Sequence, residues 1–300
     1  MKRYLLLWGG WIYKILSALK ITTPTVIMLV DGGICSQMRQ FLMGLYLKKR
    51  GLPVEYNVVW YNVDGRDANG HSVRNFDLLK VFPHIDFPVA SSRKCKWYNR
   101  FFPYYGYSHK DFHKEWWKVE PPTTILGYFA PPAEVWQPFK EVFIFTPQKV
   151  LDVRNLAIYN SIPLQGSVAV HVRRGDLSSW RPLYGHPVTE SYFLRAISYI
   201  QERVSDARFY FFSDDTAYVR DTLIPSVPFD MDYQVIDNDD AHGYMDLLLI
   251  SRCQHQITSK GTLGKFGAML GSQPEKIVVV EKDDENIDIL QGLDFSFVRL

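Results

Sequence analysis

The C-terminal half of the chain alternates between short apolar runs and longer amphipathic stretches. Apolar runs rich in β-branched and aromatic residues, typical of buried strands, lie at 167–172, 208–212, 233–236, 256–258 and 276–280. Apolar residues at helical spacing lie between them, at 189–204, 216–223, 243–252 and 264–270. Strands that alternate with helices predict an α/β fold with a parallel, doubly wound sheet.

The pattern near the N-terminus predicts another strand–turn–helix–strand unit. An apolar run at 25–30 is followed by Asp31-Gly32-Gly33, and apolar positions over 36–49 then recur at helical spacing. Ser36 is the predicted N-cap of this helix, and 54–60 is the predicted second strand. The glycine turn allows a ligand close to the backbone and leads into a helix N-terminus.

The first residues form a segment of their own. Residues 4–19 are apolar and aromatic, with basic residues on both sides. A spanning helix needs about 20 apolar residues, whereas this segment is shorter and contains Lys14. We interpret residues 1–20 as an interfacial helix lying on a membrane. A helix docked on its own domain and an uncleaved signal or anchor are the alternatives.

Composition and charge divide the chain into two lobes. With 300 residues, of which 47% are hydrophobic and 22% charged, the chain is expected to fold into more than one domain. Residues 1–164 carry 21 basic and 12 acidic residues, whereas 165–300 carry 13 and 20. We predict an N-terminal segment at 1–22, one domain at 23–164 and another at 165–300. The three cysteines form no CxxC pair, which argues against a zinc ribbon and favours a reducing compartment.

Residues 93–118 combine charge with aromatic rings. They contain seven basic residues, two acidic residues and ten aromatic residues. Three interpretations stay open: a surface that binds a sugar or lipid headgroup, a nucleic-acid surface, and an aromatic core with solvated lysines. We expect no nucleic-acid partner for the protein as a whole.

The strand exits carry the candidate chemistry. In a parallel sheet, ligands bind at the carboxyl ends of the strands. The run 167–172 leads into His171-Val172-Arg173-Arg174-Gly175-Asp176, which ends an apolar strand in charged groups. Guanidinium groups suit a diphosphate leaving group, whose charge grows as its bond to a sugar breaks. Because neighbouring strand residues point to opposite faces, one arginine is expected to touch a ligand and the other to pair with Asp176 or another acid.

Two further exits and one metal alternative add candidates. Ser213, Asp214 and Asp215 follow the strand at 208–212 and could accept hydrogen bonds from a nucleobase or ribose, or cap the next helix. The loop 258–267 offers hydroxyls and lysines before a helix, a composition that suits phosphate. Asp237 and Asp239 have a spacing that could hold a divalent cation, but the arginine pair already supplies positive charge, so we expect no metal cofactor.

Four motifs in order resemble the inverting α-1,2-fucosyltransferases of glycosyltransferase family 11. His171, Arg173, Arg174 and Asp176 match the family's H-x-R-R-x-D, and 212–215 match its F-S-D-D. Residues 246–257 match D-L-x-L-M-S-x-C-x-H-x-I, and 32–38 match G-G-L-G-N-Q-M. The order and spacing agree over about residues 25–285.

The resemblance implies a GT-B fold, with two Rossmann-like domains whose parallel doubly wound sheets face a cleft. It implies that the N-terminal domain binds an acceptor glycan and the C-terminal domain binds GDP-fucose, without metal. By the same resemblance, Arg173 binds the β-phosphate. Asp31 is the candidate general base because of its place at the exit of the first strand, with Asp64, Asp67 and His71 behind it. The other expected donor-binding residues are His171, Arg174, Asp176, Ser213, Asp214, Asp215, Ser259, Lys260, Thr262 and Lys265. The expected acceptor-side residues are Gly32, Gly33, Ser36 and Gln37.

Two departures from the family pattern leave alternatives. Ser36 replaces the family's asparagine, and the segment 260–268 lacks the family's two tryptophans and has Lys265 and Phe266 in their place. We expect transfer of fucose to an oligosaccharide or lipid-linked glycan, by an enzyme peripheral to the cytoplasmic face of the membrane. A transferase for another nucleotide sugar, and an inactive protein that binds GDP-sugars or glycans, are the alternatives.

Overall fold

The computed structural model describes residues 2–20, 22–63, 65–66, 73–106, 116–126, 131–175, 177–178, 186–284, 287–290 and 297–300. The chain forms two compact units. Unit 1 comprises Met1–Gly65 and Pro83–Trp136, and unit 2 comprises Arg66–Phe82 and Gln137–Leu300. No described helix is long and apolar enough to cross a membrane.

All of the described strands belong to two sheets. In chain order, the strands are β1 Val26–Leu29, β2 Val54–Asn57, β3 Tyr104–Tyr105, β4 Thr123–Leu126, β5 Ser167–Val172, β6 Arg208–Ser213, β7 Asp232–Ile236, β8 His255–Ile257, β9 Val278–Val280 and β10 Phe297–Arg299. The α-helices are α1 Lys2–Ala18, α2 Ile34–Lys49, α3 Val59–Val63, α4 Leu78–Val81, α5 Ser92–Phe101, α6 Phe139–Val142, α7 Pro147–Val150, α8 Val153–Ser161, α9 Glu190–Gln201, α10 Thr216–Tyr218, α11 Gly243–Arg252 and α12 Leu263–Leu270.

Unit 1 is built on a four-stranded parallel sheet in the order β2-β1-β4-β3. Helix α2 packs against β1 and β2, where the rings of Phe41 and Tyr56 stack with centroids 5.6 Å apart. Helix α1 packs against α5 through Tyr13, whose ring lies edge-on to Tyr98 and Phe102. One face of α1 is therefore docked on its own domain, as one of the alternatives for residues 1–20 predicts.

Unit 2 is built on a six-stranded parallel sheet in the order β10-β9-β8-β5-β6-β7. Helix α9 and the π-helix Val219–Leu223 cover one face, in a cluster with Val170 and Phe211. Residues of α8 and α11 cover the other face, in a cluster with Ala169 and Tyr210. Strand β5 is buried along its whole length. Its carboxyl end lies at the edge of the sheet where ligands of parallel sheets bind.

The predicted α/β class with two parallel, helix-covered sheets is confirmed. Strand β5 and helix α11 have the predicted bounds, because their apolar patterns are long and regular. The predicted N-cap Ser36 is wrong: α2 begins at Ile34, with Gly33 as its N-cap. The run at 54–60 ends as a strand at Asn57, whose side-chain oxygen accepts a hydrogen bond from Val59 N–H as α3 begins.

The division between the units differs from the predicted boundary at residue 164. Unit 2 already begins at Gln137, and it also includes Arg66–Phe82. The reason is packing: α6 lies against α12, α8 lies against α11, and Lys80 donates to the hydroxyl of Tyr244 at 2.7 Å. Contacts between segments far apart in the chain therefore set this boundary.

Candidate functional site

The exits of three neighbouring strands are tied together around Arg173. As the chain leaves β5, Arg173 N–H donates to Ser259 Oγ at 3.0 Å, which joins β5 to the loop after β8. The next residue, Arg174, donates its N–H to Asp214 Oδ1 at 2.8 Å, which joins β5 to the loop after β6. The backbone on both sides of Arg173 is therefore held by hydrogen bonds.

The Arg173 guanidinium lies against a glycine at the start of α12. A Cβ placed on Gly261 would come within 2.4 Å of Arg173 Nη1, and Gly261 has a φ of +92°. Both the close approach and the backbone conformation favour glycine here. The arginine side chain is thereby placed beside the first turn of α12, where backbone N–H groups favour negative charge.

His171 is an uncharged group that shares a contact to Ser259 with this arginine. Its ring is buried, and Nδ1 lies 3.1 Å from Ser259 Oγ. Burial, with the charges of Arg173 and Lys265, lowers the pKa of His171 to about 3. A Cβ on Gly264 would come within 3.1 Å of His171 Cβ, so this glycine lets α12 approach β5 closely. The site therefore combines a neutral imidazole with a charged guanidinium.

Lys265 is a buried support for the loop after β8, which is a correction to the donor contact predicted for it. Its side chain is fully buried, and its ammonium group donates to Ser259 O at 3.2 Å and Gly261 O at 2.8 Å. It also forms an ion pair with the buried carboxylate of Asp284. Burial lowers the pKa of Lys265, whereas the Asp284 carboxylate opposes that shift.

Asp284 is the site residue that the sequence motifs missed. It belongs to no motif, and no local pattern marks a carboxylate 19 positions after its lysine. The signal is the lysine itself, because a lysine inside an apolar helix needs a buried acidic partner. Together, Asp284 and Lys265 fix the two carbonyl groups that flank Lys260.

Arg174 is the arginine that pairs with an acid. Its Nε lies 3.5 Å from Asp215 Oδ2, and its guanidinium carbon lies 3.6 Å from the centroid of the Tyr218 ring. Asp215 also caps α10 by accepting from Tyr218 N–H, and Ser213 Oγ donates to Val172 O at 2.7 Å. These side chains shape the loop that follows β6.

The remaining predicted donor-binding residues are distributed as follows. Ser259 is buried and holds Arg173 and His171, whereas Lys260 and Thr262 are half-buried at the start of α12. The Thr262 side chain makes no capping hydrogen bond to α12. Asp214 is exposed. Asp176 lies outside the described residues.

A polar cavity of about 490 Å³ opens near the carboxyl end of β7. Asp237, one of the two carboxylates considered for a metal, lies 3.4 Å from an Arg220 nitrogen. The other, Asp239, lies 2.6 Å from His242 Nδ1. Within the described ranges, no three His, Cys, Asp or Glu side chains form a group suited to a metal ion.

The candidate acceptor residues lie at the exit of β1 in unit 1. Gln40 Nε2 donates to Asp31 Oδ1 at 2.7 Å, and Gln40 Oε1 accepts from Asp31 N–H at 3.1 Å. The carbonyl of Gly32 accepts from Gln37 Nε2 at 3.1 Å and from the Tyr61 hydroxyl at 2.8 Å. Ser36 is half-buried in the first turn of α2. The reserve bases Asp64, Asp67 and His71 lie outside the described residues.

A known protein family resembles the part of the chain that contains this arginine, and two curated proteins resemble part of the chain. Residues 148–289 match the model of Glycosyl transferase family 11. Two curated Escherichia coli proteins align over 130 residues: an alpha-1,2-colitosyltransferase at 31% identity and the O-antigen biosynthesis glycosyltransferase WbnK at 28%. Each alignment covers 42% of this chain, and 43% and 42% of the two relatives. The chain thus matches less than half the length of these relatives.

Two of the solved structures that match the chain, both at low similarity, are glycosyltransferases. POFUT1 in complex with GDP-fucose is 11% identical with a TM-score of 0.46, over 86% of this chain and 97% of that chain. E. coli ADP-heptose lps heptosyltransferase II is 11% identical with a TM-score of 0.46, over 92% and 90%. The match to the model of Glycosyl transferase family 11 spans residues 148–289 and contains His171, Arg173, Lys265 and Asp284.

Proposed function

We propose that the protein is an inverting glycosyltransferase that moves fucose from GDP-fucose to a hydroxyl group of an acceptor glycan, forming an α-1,2 linkage during surface polysaccharide synthesis. The observation that carries the proposal is the placement of Arg173 against Gly261, just before the N-terminus of α12 and inside the segment that matches the family model. A guanidinium beside a helix N-terminus suits a diphosphate. The names of the two curated relatives support a role in glycan assembly.

The donor reacts in a single displacement. The acceptor oxygen forms a bond to the anomeric carbon while the bond from that carbon to the diphosphate oxygen breaks. The electron pair of the broken bond leaves with GDP, and the Arg173 charge stabilises it as it develops. Lys260 and the Thr262 hydroxyl lie at the same loop and add donors for the phosphate oxygens. We propose no metal cofactor, because these groups supply the positive charge that a cation would otherwise bring.

His171 and Arg174 support Arg173 in different ways. A neutral imidazole adds no repulsion to the guanidinium and can donate one N–H to the nucleotide. The Arg174 side chain is stacked on Tyr218 and paired with Asp215. We propose that these contacts hold the backbone that follows Arg173 in place. Asp214 and Asp215 are proposed to lie next to the ribose or base, because the exit of β6 neighbours that of β5.

The acceptor proton is taken up by Asp31. Its carboxylate is half-buried and oriented by the side-chain amide of Gln40. A carboxylate within hydrogen-bond reach of an acceptor hydroxyl can remove its proton as the new bond forms. The proposed acceptor side consists of four residues that follow this carboxylate in the chain: Gly32, Gly33, Ser36 and Gln37.

A second donor sugar is the alternative that one observation favours. The relative named alpha-1,2-colitosyltransferase shows 31% identity over the aligned segment. In addition, Lys265 replaces a tryptophan of the family pattern on a helix that borders the site. The same displacement would transfer another sugar from its own nucleotide without any change in the role of Arg173.

The test is a donor screen with the intact chain. GDP- and UDP-sugars are incubated with a panel of oligosaccharide acceptors, with and without EDTA, and products are read by mass spectrometry. We expect a fucosylated product from GDP-fucose that EDTA does not diminish. Calorimetry with GDP is run in parallel. GDP binding without any product from the panel would favour an inactive binding protein, and loss of product in EDTA would contradict the metal-free mechanism.

A further inference from the structure

Helix α1 presents an apolar stripe on the side opposite its docked face. Its exposed large apolar residues recur at helical spacing and are Trp8, Trp11, Ile12, Ile15 and Leu19. Trp8, Trp11 and Leu19 are each more than 60% exposed, whereas Tyr13 is 5% exposed. Positions spaced by three and four share one side of a helix. The stripe therefore consists of side chains that α1 does not use to hold unit 1 together.

Helix α5 presents a basic stripe with the same spacing. Arg93, Lys96, Trp97 and Arg100 are exposed, while Cys95 and Tyr98 are buried. The remaining lysine of the helix, Lys94, is used inside the unit, since it pairs with Glu55 at 2.7 Å. Neither α1 nor α5 contains an acidic residue.

The two helices are fixed to the same cluster. Tyr13 of α1 and Tyr98 of α5 are joined by a hydrogen bond of 2.7 Å between their hydroxyls, and both pack in a cluster with Ile27 of β1. The Tyr13 hydroxyl also donates to Thr23 O at 3.0 Å, in the segment that leads into β1. The exposed apolar and basic stripes thus belong to two helices that share one buried cluster.

We propose that α1 and α5 together form a docking surface for an anionic lipid bilayer. The Trp8–Leu19 stripe inserts between lipid headgroups, and Arg93, Lys96 and Arg100 bind acidic headgroups. The absence of carboxylates from both helices matches a negatively charged partner and opposes a second copy of the same basic surface. Isoleucine and leucine in the stripe favour acyl chains over nucleic-acid bases, which stack on aromatic rings. The protein would lie on the membrane, because α1 has 17 residues and no described helix can span it.

The first experiment measures binding of the full chain to vesicles of phosphatidylcholine alone and with 30% phosphatidylglycerol. We expect cosedimentation with the anionic vesicles that falls in 0.5 M salt, since salt screens headgroup charge. Lys96→Glu/Arg100→Glu should lower the partition coefficient at least about tenfold, because each basic group near the surface strengthens binding. Lys149→Glu, on the exposed side of α7 in unit 2, is a single charge reversal away from both helices and should change binding little.

The second experiment locates the apolar stripe. Trp11→Ser should weaken binding about tenfold, whereas Ile144→Ser, which alters an exposed residue of unit 2, should not. Trp8→Phe/Trp11→Phe should keep binding but lose the fluorescence quenching caused by brominated lipids. All of these side chains are exposed, so circular dichroism is expected to be unchanged.

Three results would overturn the proposal. Equal binding to neutral and anionic vesicles would remove the role of α5. Binding of polyuridylate at the salt concentration where vesicles fail to bind would assign the surface to nucleic acid. If light scattering shows a dimer that dissociates in Trp11→Ser, and no vesicle binding is seen, the surface would be an interface with a second copy of the chain. None of these measurements requires sugar transfer, so they test the membrane proposal independently of the proposed enzymatic function.

Discussion

The exits of β1 and β5 share a local architecture but differ in the charged groups around them. Each is a buried parallel strand that leads into a turn, and each lies beside the N-terminus of a helix. At the exit of β1 in unit 1, a single carboxylate, Asp31, is held by the neutral amide of Gln40. At the exit of β5 in unit 2, Arg173 lies against Gly261, whose loop is held by the buried ion pair of Lys265 and Asp284. The strand–turn–helix frame therefore sets where a group is placed, and the surrounding charges set what it can bind.

The strongest test of this difference removes the buried charge from unit 2. Lys265→Met leaves the Asp284 carboxylate buried without its partner, which should lower the free energy of unfolding of unit 2 by about 3–5 kcal/mol. Urea unfolding, with hydrogen exchange at β5 and β8, measures the loss.

Two controls belong to this experiment. Lys265→Met/Asp284→Leu removes both charges and should recover much of the stability. Gln40→Met, the matched change at the exit of β1, removes a neutral amide and should cost about 1–3 kcal/mol. If Lys265→Met and Gln40→Met cost the same, the proposed contrast between the two exits is wrong.

The next largest effect concerns the leaving group. Arg173→Ala should lower the rate of sugar transfer by about 10²–10³ and weaken GDP binding, because the preorganised charge is lost. Steady-state kinetics and calorimetry with GDP measure both. Arg203→Ala, on the exposed end of α9 where the guanidinium covers Tyr199, is the control and should have neither effect. Unchanged transfer by folded Arg173→Ala would remove this arginine from the mechanism.

At the exit of β1, the expected effect falls on the rate alone. Asp31→Asn keeps the size of the side chain and removes the base, so kcat should fall about 10²-fold. Affinity for GDP should stay at the level of the unchanged protein, in contrast to Arg173→Ala. A loss of GDP affinity in Asp31→Asn would show that the two exits do not divide donor and acceptor between them.

Acid should weaken unit 2 through its buried histidines. The pKa of His171 is lowered to about 3 and that of His255 to about 4, in both cases chiefly by burial. Above about pH 6.5 neither the folded nor the unfolded state binds these protons. Below it the unfolded state is protonated and the folded state is not, so stability falls by up to about 1.4 kcal/mol per histidine and pH unit. This loss continues down to the folded pKa.

Urea unfolding at pH 7.5 and pH 5 measures this effect, and hydrogen exchange assigns it to a sheet. Exchange of β5 and β8 amides should quicken at pH 5 relative to β1 and β2 amides, after correction for intrinsic rates. Equal changes in both sheets would show that the buried histidines do not control the acid response.

The sequence by itself determined the parts of the protein that depend on local patterns. The bounds of β5 and α11 follow from continuous apolar or amphipathic runs, and the position of Arg173 at a strand exit follows from the same pattern. A motif such as H-x-R-R acts over a few residues, so it is visible without knowledge of the fold. The prediction that one arginine of the pair would bind an acid follows from strand geometry alone.

Only the tertiary structure decided which groups meet. It paired Lys265 with Asp284, chose Asp215 as the partner of Arg174, and divided the chain before Gln137. It also decided that α1 docks through Tyr13 while its apolar stripe stays exposed. The physical reason is that burial and ion pairing depend on contacts between segments far apart in the chain. A local pattern of hydrophobic and polar positions does not show which distant segments will meet.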